Sequence, residues 1–548
     1  MTLHAERTRI LLWAAALLAC CFALNQRHHH FPYYYHPDEP GKAEQILTGR
    51  WNFNHPMLLL TATRAAVETF HVRAEEQAIV ETGRMVSAFF MAVAVTALSL
   101  TAYLWRGWPA AILAGAALAL HHQLYELSHY MKEDAALMMG LALSFLTCVA
   151  YAQRGSAPRA LLIGLACGLA ISGKYIGAVA LAIALPVVIF RSPGARWQRV
   201  GLFALGLVGT LLIVNYPLVA DFLGHGQGVF QKSLHREVDL VMHGQGDVTR
   251  RVPHALYWNV FLDNTTPATW VLLAAFISTW RHRRSQRPMA ERLVAAFPFM
   301  LALALSFSPK ENDRYFLPAT AVFTLLAALG AQDLPYLLCR ILELFGVQHP
   351  ERMFTPERRS GIFAAAASVL LILQLSGWSF TKPGWWRYDQ AFTRDDIAEL
   401  IVWMRKEMAP TATVVADAKT GLRVPSKKML SVVQGLPQRL IVSKSAADAD
   451  VREKLRGKKF SAEAPEPQTG ILQQLREQKV DYVIVSESTY GRYTRENLQP
   501  KDPNNRTYAR AKAFYEDLLR AGDAAFIRDR ATVIYLHPGI RVYPMPPG

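Results

Sequence analysis

The chain is poor in cysteine, in acidic charge and, over its first 380 residues, in charge of any kind. Its cysteines stand at 20, 21, 148, 167 and 339, all in or beside apolar blocks, and none follows Cys339. That excludes a legible disulfide framework or a cysteine-type metal site in the polar tail. No internal repeat is evident. The tail shows no glycine-rich loop of the kind that cradles nucleotide phosphates. Acidic residues number 43 against 59 basic ones, a net charge of +16. The excess sits in short clusters between apolar blocks, such as Arg281, Arg283, Arg284 and Arg287. Positive-inside bias accounts for that distribution and excludes a nucleic-acid reading.

What the chain has in abundance is apolar residues, 52% of the total. Charges thin out in blocks of about 15 to 22 residues, the length that crosses a hydrocarbon core of about 30 Å. Spans are expected near 10–25, 83–105, 108–122, 134–152, 159–172, 175–190, 200–220, 267–280, 292–308, 316–332 and 361–378, about eleven in all. The start, Arg7 and Arg9 before Ile10 to Leu24, resembles a signal peptide, and Leu17-Leu18-Ala19-Cys20 resembles a lipoprotein cleavage site. The many later spans favour an uncleaved first helix. With Arg7 and Arg9 in the cytoplasm, the gaps holding Arg106, Arg154 and Arg159, Arg191 to Arg199, Arg281 to Arg292, and Arg340 to Arg359 also fall there. The break at Ser172-Gly173-Lys174-Tyr175 separates two short helices and puts Lys174 at the outer surface; one merged helix would bury that lysine in lipid. The expected protein is a multi-pass plasma (inner) membrane protein, mainly α, with a transmembrane domain over 1–380. An extracytoplasmic α/β domain then covers 381–548. In it, Asp395 to Met408 and Ala511 to Leu519 read as helices, and 413–416, 482–485 and 531–536 as strands. A structural or acceptor-binding role suits this tail better than catalysis.

The outer segments, 26–82, 123–133, 172–175, 221–266 and 309–315, carry the conspicuous polar motifs. The first opens Tyr33-Tyr34-Tyr35-His36-Pro37-Asp38-Glu39-Pro40. A carboxylate held between prolines in an aromatic setting at the membrane surface suits a general base; it equally suits a helix start capped by Asp38. In the second, Glu126, His129, Lys132 and Glu133 lie at roughly helical spacing and read as one polar face. Asp134 opens an apolar span as cap or as ligand. Lys132 fits a phosphate, and Glu133 or Asp134 a hydroxyl. Lys174-Tyr175 reads as a snorkelling lysine or a phosphate ligand. Arg314-Tyr315, just above a span, offers a guanidinium fork for phosphate oxygens or closes a polar hairpin. His28, His29, His30, His36, His55, His121, His122 and His129 are a set that zinc accepts, but no fixed ligand spacing supports a metal. The segment 221–266, with His235, Glu237, Asp239, His243, Gly244 and Gly246, reads as a cover lying along the membrane.

Taken in order, Asp38-Glu39, His129-Tyr130 with Lys132 and Asp134, Gly173-Lys174-Tyr175, and Arg314-Tyr315-Phe316-Leu317-Pro318 resemble the glycosyltransferase family 39 group. That group holds the protein O-mannosyltransferases and the lipid A aminoarabinose transferases. The resemblance covers roughly residues 10–380. Ala319-Thr320 stands where many members carry a second proline. The resemblance implies a GT-C fold, an extracytoplasmic site and a polyprenyl-phosphate-linked monosaccharide donor. The acceptor is a glycan, lipid or protein. It implies Asp38 as the base with Glu39 its neighbour, and Lys132, Lys174 and Arg314 about the lipid phosphate, with no cofactor required. A transporter or lipid flippase is the second reading, although charge-poor spans and the missing repeat speak against it. A non-catalytic member of the fold that binds a lipid-linked sugar is the third.

Overall fold

A computed structural model of the chain describes residues 3–191, 195–225, 228–243, 248–250, 257–283, 288–307, 313–379, 382–409, 412–417, 420, 422, 440–442, 472, 475–476, 479–496, 498–500, 506–531, 533 and 535–545. Lys310, Glu311, Asn312, Gly244 and Gly246 lie outside the described residues. The chain forms two compact units, Met1–Gln245 with His254–Tyr388, and Gly246–Pro253 with Asp389–Gly548.

The first unit is helical: α1 (Leu3–Asn25), α2 (Glu39–Thr48), α3 (Leu58–Thr69), α4 (Glu76–Arg106), α5 (Trp108–Ala119), α6 (His122–Ser128), α7 (Glu133–Gln153), α8 (Ala157–Gly173), α9 (Leu181–Arg191) and α10 (Arg196–Val214) come first. Then follow α11 (Tyr216–Ala220), α12 (Val229–His243), α13 (Trp258–Asn264), α14 (Pro267–Arg283), α15 (Met289–Ser306), α16 (Leu317–Gly330), α17 (Leu334–Leu344) and α18 (Pro356–Ser376). Among the described residues six helices are long and apolar enough to cross a membrane, or up to eight if the bent pairs α13–α14 and α16–α17 each make one span. α5, α8 and the stretch Tyr175–Arg191 are apolar but shorter. The eleven expected spans thus fall on helices, but six qualify by themselves, two more only as parts of bent pairs, and three are too short, so six to eight crossings replace the expected eleven. The protein is a multi-pass membrane protein.

Local chemistry sets the breaks between helices. Gly107, at φ 78°, ends α4, and Pro109 in the next first turn opens α5, the usual asymmetry of glycine after a helix and proline at its start. Close helix approach depends on glycine too. A Cβ on Gly173 would stand 2.6 Å from the Ala136 carbonyl carbon, and one on Gly140 would stand 2.2 Å from the Ala170 nitrogen. Only hydrogen fits at these crossings, so α7 and α8 pack backbone to backbone, as small residues allow in membrane bundles. One end of the bundle is pinned by Arg106, whose guanidinium bonds both Asp333 oxygens at 3.1 Å. Trp108 donates to Glu6 at that same end, 3.0 Å away.

The second unit holds β1 (Val248–Arg250), which pairs antiparallel with a strand introduced below; β2 (Gly377–Ser379) and β3 (Lys382–Pro383) form a separate small ribbon in the first unit. After α19 (Trp385–Ala391) and α20 (Asp396–Glu407) come β4 (Val414–Asp417), β5 (Leu440–Val442), β6 (Tyr482–Ser486), α21 (Glu487–Thr494), β7 (Leu498–Pro500), α22 (Arg506–Arg520), β8 (Phe526–Arg528) and β9 (Ile540–Pro544). β7 is the partner of β1. The main sheet runs β5-β4-β6-β9-β8, with β4 and β6 parallel and the other pairs antiparallel. Val415, Val483 and Val485 pack on Phe514, Tyr515 and Leu518 of α22. Asp395 caps α20 by accepting from the Ile397 and Ala398 amides. The strand expected over 531–536 is not one. Val533 and Leu536 are buried in a turn, and the closing strand is β9, which begins after Gly539 at φ 72°. The sequence places a buried pair in that turn, and a run of apolar residues does not by itself reveal the turn.

Candidate active site

Three consecutive residues at the junction of α6 and α7 pair with α2 and with the end of α8. Lys132 Nζ lies 2.5 Å from Asp38 Oδ2, Glu133 Oε1 lies 2.8 Å from Lys42 Nζ, and Asp134 Oδ1 lies 2.8 Å from Lys174 Nζ. Lys132 is extended, at φ −136° and ψ 143°, and serves as the residue before α7. The chain turns there from α6 into α7, and the side chains of 132, 133 and 134 are all buried. The close α7–α8 packing at Gly173 and Ala136 sets Lys174, the first residue beyond α8, against Asp134.

Asp38 occupies the N-cap position of α2 yet makes no side-chain cap bond. Its carboxylate turns to Lys132 instead, which removes the capping role as its explanation. The Asp38 side chain is 49% exposed whereas that of Lys132 is 3% exposed, so the acid faces the outside and the cation lies beneath it. Burial works to raise the Asp38 carboxyl, but the Lys132 charge and hydrogen bond, with Lys42 and His36 beside them, together hold it well below the usual carboxylate range. Burial, then the Arg314 guanidinium, pulls Lys132 down to about 8, while the Asp38 charge works against this. His36 Nε2 lies 3.2 Å from Lys132 Nζ, and its Nδ1 accepts from the Asp38 amide at 3.2 Å. Burial and then Lys132 keep His36 neutral at ordinary pH.

Glu39 is placed differently from Asp38. Arg84, on α4, grips it with two bonds, 3.1 Å to Oε1 and 2.6 Å to Oε2, and the Met131 amide donates to Oε1 at 2.8 Å. Arg84 also donates to the carbonyls of His29 and Phe31 at 2.7 and 2.6 Å and stacks 3.6 Å from the Phe31 ring centroid. Neither Glu39 nor Arg84 has any exposed side chain. Glu39 therefore joins the first outer segment, α4 and the second outer segment, and presents no free oxygen to a ligand.

Tyr175 donates to the Phe53 carbonyl at 3.0 Å, tying the break after α8 to the first outer segment. Lys174 Nζ stands 4.7 Å from the Tyr315 ring centroid, and the Arg314 guanidinium carbon stands 5.7 Å from the same ring. So Asp38, Lys132, Glu133, Asp134, Lys174, Tyr315 and Arg314 gather about one cluster. His129 stands apart. Its Nδ1 is 2.7 Å from the Tyr125 carbonyl and its Nε2 2.7 Å from the Arg27 carbonyl. That fastens the second outer segment to the end of α1. The single polar face expected from Glu126, His129, Lys132 and Glu133 does not exist, because α6 stops at Ser128 and α7 starts only at Glu133. Among the described residues no three His, Cys, Asp or Glu side chains come together as a metal site.

The sequence motifs leave out Lys42 and Arg84, and name His55 only among the histidines. Lys42 Nζ also donates to the Met131 carbonyl at 2.6 Å, and His55 Nε2 is 4.0 Å from Glu133 Oε2. Lys42 follows Asp38 by four residues, which sets both on one face of α2. An arginine inside a long apolar helix is itself a signal, since ionisable groups there are costly and find partners. The expected cover over 221–266 is represented by α12, whose Ser233 donates to the Asn52 carbonyl at 2.5 Å.

Residues 74–216 match the family model described as dolichyl-phosphate-mannose-protein mannosyltransferase. A curated relative is the undecaprenyl phosphate-alpha-4-amino-4-deoxy-L-arabinose arabinosyl transferase of Enterobacter sp. (strain 638), 23% identical over 289 residues. That alignment covers 51% of this chain and 48% of the relative, so the chain spans about half the length of the curated relative it matches. Among solved structures, ArnT from Cupriavidus metallidurans bound to undecaprenyl phosphate is 16% identical, covering 89% of this chain and 94% of that one at a TM-score of 0.47. The apo oligosaccharyltransferase of Archaeoglobus fulgidus is 13% identical, covering 89% of this chain and 70% of that one at a TM-score of 0.48. The matched segment runs from the start of α4 to the start of α11 and contains Lys132, Glu133, Asp134 and Lys174, and over that segment the chain is similar to the protein mannosyltransferases.

Proposed function

We propose that this protein is a membrane glycosyltransferase of the GT-C type. It moves a monosaccharide from a polyprenyl-phosphate carrier to an acceptor at the extracytoplasmic membrane surface. The observation that carries this is the half-exposed Asp38 carboxylate paired with a buried lysine, beside Lys174 and Arg314. The matched family and the curated relative are both named for a sugar carried on a polyprenyl phosphate, and the donor chemistry follows that pattern.

The acceptor's hydroxyl or amine attacks the anomeric carbon as the bond from that carbon to the phosphate oxygen breaks. The configuration inverts. Asp38 takes the acceptor's proton, and the electron pair leaves on the lipid phosphate. Lys132, Lys174 and Arg314 meet the growing charge, the preorganised stabilisation that dominates such steps. In the resting site Lys132 holds Asp38, which leaves the carboxylate a weak base. A donor phosphate that draws Lys132 away frees Asp38 to accept a proton only once the donor is bound. Tyr175 and Tyr315 shape the site, and Glu133 and Asp134 keep Lys42 and Lys174 in place.

The test uses the full chain in lipid nanodiscs with synthetic polyprenyl-phosphate monosaccharides, reading release of the free polyprenyl phosphate. Asp38→Asn is expected to bind donor and unfold at the wild-type temperature while turnover falls by about 10²–10⁴-fold, the usual share of a general base. Wild-type turnover in that variant removes Asp38 as the base. A through-going solute flux with no sugar transfer would favour transport instead.

A further inference from the structure

Two hollows lie away from the Asp38 cluster, one between α14, α15 and α16 and the other between α14 and α15. A cavity of about 320 Å³ is lined by Leu273, Phe276, Ile277, Phe299, Phe323 and Leu326, among other apolar side chains. Trp280 borders it and also borders a second hollow of about 340 Å³, whose other walls are Met289, Arg292 and Leu293. Both volumes fall in the range of about 300–1,000 Å³ typical of small-molecule sites. The two lie toward the end of the bundle that the Arg106–Asp333 pair also marks. α16 starts beside Arg314 and runs away from it to Gly330, and Asp333 follows.

Arg292 supplies the charge in this region. It is partly exposed, but its Nε is buried and makes no hydrogen bond among the described residues. A guanidinium presents five donors in a fixed fork, and a buried donor left unpaired costs about 1–3 kcal/mol. An oxyanion at the mouth of the second hollow would satisfy it. From Arg292 to Phe299 along α15 is about 10 Å at 1.5 Å per residue, a depth within one leaflet of a core about 30 Å thick. Trp280 stands at the junction, where an indole suits the headgroup boundary.

We propose that this is a binding site for an anionic glycerophospholipid of the leaflet opposite the Asp38 cluster. Its phosphate sits on Arg292 and one acyl chain enters the apolar cavity past Trp280. Basic pockets between membrane helices take acidic headgroups in this manner, and the leaflet that faces basic loops is the one rich in anionic lipid. A polyprenyl phosphate would offer the same phosphate and an apolar tail. Its proposed place is at Lys132 and Arg314, at the other end of these helices, and charge complementarity at Arg292 is met by the bulk anionic lipid. The site rests on the membrane reading alone, and its test does not involve sugar transfer.

The full chain is placed in nanodiscs of mixed phosphatidylglycerol and phosphatidylcholine, released into mild detergent and weighed intact by native mass spectrometry. One phosphatidylglycerol is expected to stay bound in preference to phosphatidylcholine. Arg292→Gln weakens its retention about tenfold, the worth of a charge-assisted bond, and Arg292→Lys restores most of it. Ala296→Trp, which fills the apolar cavity while keeping the charge, also displaces the lipid. If Ala296→Trp lowers the unfolding temperature, the Gln and Lys pair at 292 decides alone. Equal retention of phosphatidylcholine, indifference to both Arg292 substitutions, or a retained lipid that proves to be polyprenyl phosphate would overturn the proposal.

Discussion

Asp38 and Lys132 hold each other in the resting site, and their pH behaviours run in opposite directions. Asp38 is held below its ordinary range, so it stays ionised from neutral pH down through the usual carboxylate values. Lys132 is pulled down to about 8, so it sheds its charge as pH rises through that value. The lysine is needed charged to meet the lipid phosphate. The donor's kcat/KM should therefore be flat between about pH 5 and 7 and fall above about 8, approaching tenfold per unit. Bound phosphate stabilises the ammonium, so the same limb in kcat should lie at higher pH than in kcat/KM. Lys132→Arg keeps a charge at every accessible pH, so its alkaline limb should move beyond about pH 10. Steady-state rates across pH check all three; a wild-type limb that Lys132→Arg leaves in place would assign the titration elsewhere. The same pair has a stability side. The lowered Lys132 value means the unfolded chain binds more protons between about 8 and its ordinary value, so this group adds stability as pH rises there. Asp38 acts in the same sense at low pH: the stability it contributes is present above its unfolded value and is lost as pH falls toward the folded one.

Three elements of the site meet at Arg84. Its two bonds to Glu39 and its contacts with the carbonyls of His29 and Phe31 join α2, α4 and the end of α1, while Glu39 reaches on to the Met131 amide. Removing one member strands the other in a buried place. Arg84→Leu should lower stability by about 3–5 kcal/mol, the cost of an unpaired buried charge, read as a fall in unfolding temperature in detergent. Adding Glu39→Gln should recover much of the loss, because the amide oxygen still accepts from Met131 and carries no charge. Failure of the double variant to recover would place the cost of Arg84 in its packing on Phe31. How much of this was legible follows from where the information resides. The span positions, the break at Gly173-Lys174 and the α20 and β6 elements could be read from local composition, because burial in a bilayer or a small sheet imposes its period on the chain. Asp38, Lys132, Asp134, Lys174 and Arg314 were visible as polar motifs on the outer segments. Their pairing was not, because it depends on an α7–α8 crossing that only glycine permits. Arg84 and Lys42 were missed since a partner tens of residues away leaves no local pattern, and the false polar face of 126–133 came from continuing a helix through a residue that is extended.

The whole molecule carries its acidic and basic site groups at one end of the helical unit and its Arg106–Asp333 and Glu6–Trp108 contacts at the other. α7 runs from Glu133 at the first end to Gln153 at the second, where Gln153 donates to the Leu104 carbonyl at 2.7 Å. α8 then returns from Ala157 to Lys174. The gaps at the second end are those rich in arginine, including Arg154 and Arg159, and basic loops stay in the cytoplasm. If the helices alternate as the sequence suggests, Arg9 and Arg154 face the cytoplasm, while Arg50 and the tail residue Asp523 face the other side. The native cysteines are free, so a cysteine-less version can be made by substituting five positions. Single cysteines placed at Arg9, Arg50, Arg154 and Asp523 should then label in two classes with a membrane-impermeant thiol reagent. Arg50→Cys and Asp523→Cys react in intact cells, and Arg9→Cys and Arg154→Cys only after permeabilisation. The opposite pattern would put the Asp38 cluster on the cytoplasmic face and deny an outward-facing acceptor site. A mixed pattern, with Asp523→Cys shielded while Arg50→Cys reacts and Arg154→Cys stays protected, would mean an even number of crossings and place a re-entrant element after Arg154, among α8, the Tyr175–Arg191 stretch and the bent pairs α13–α14 and α16–α17.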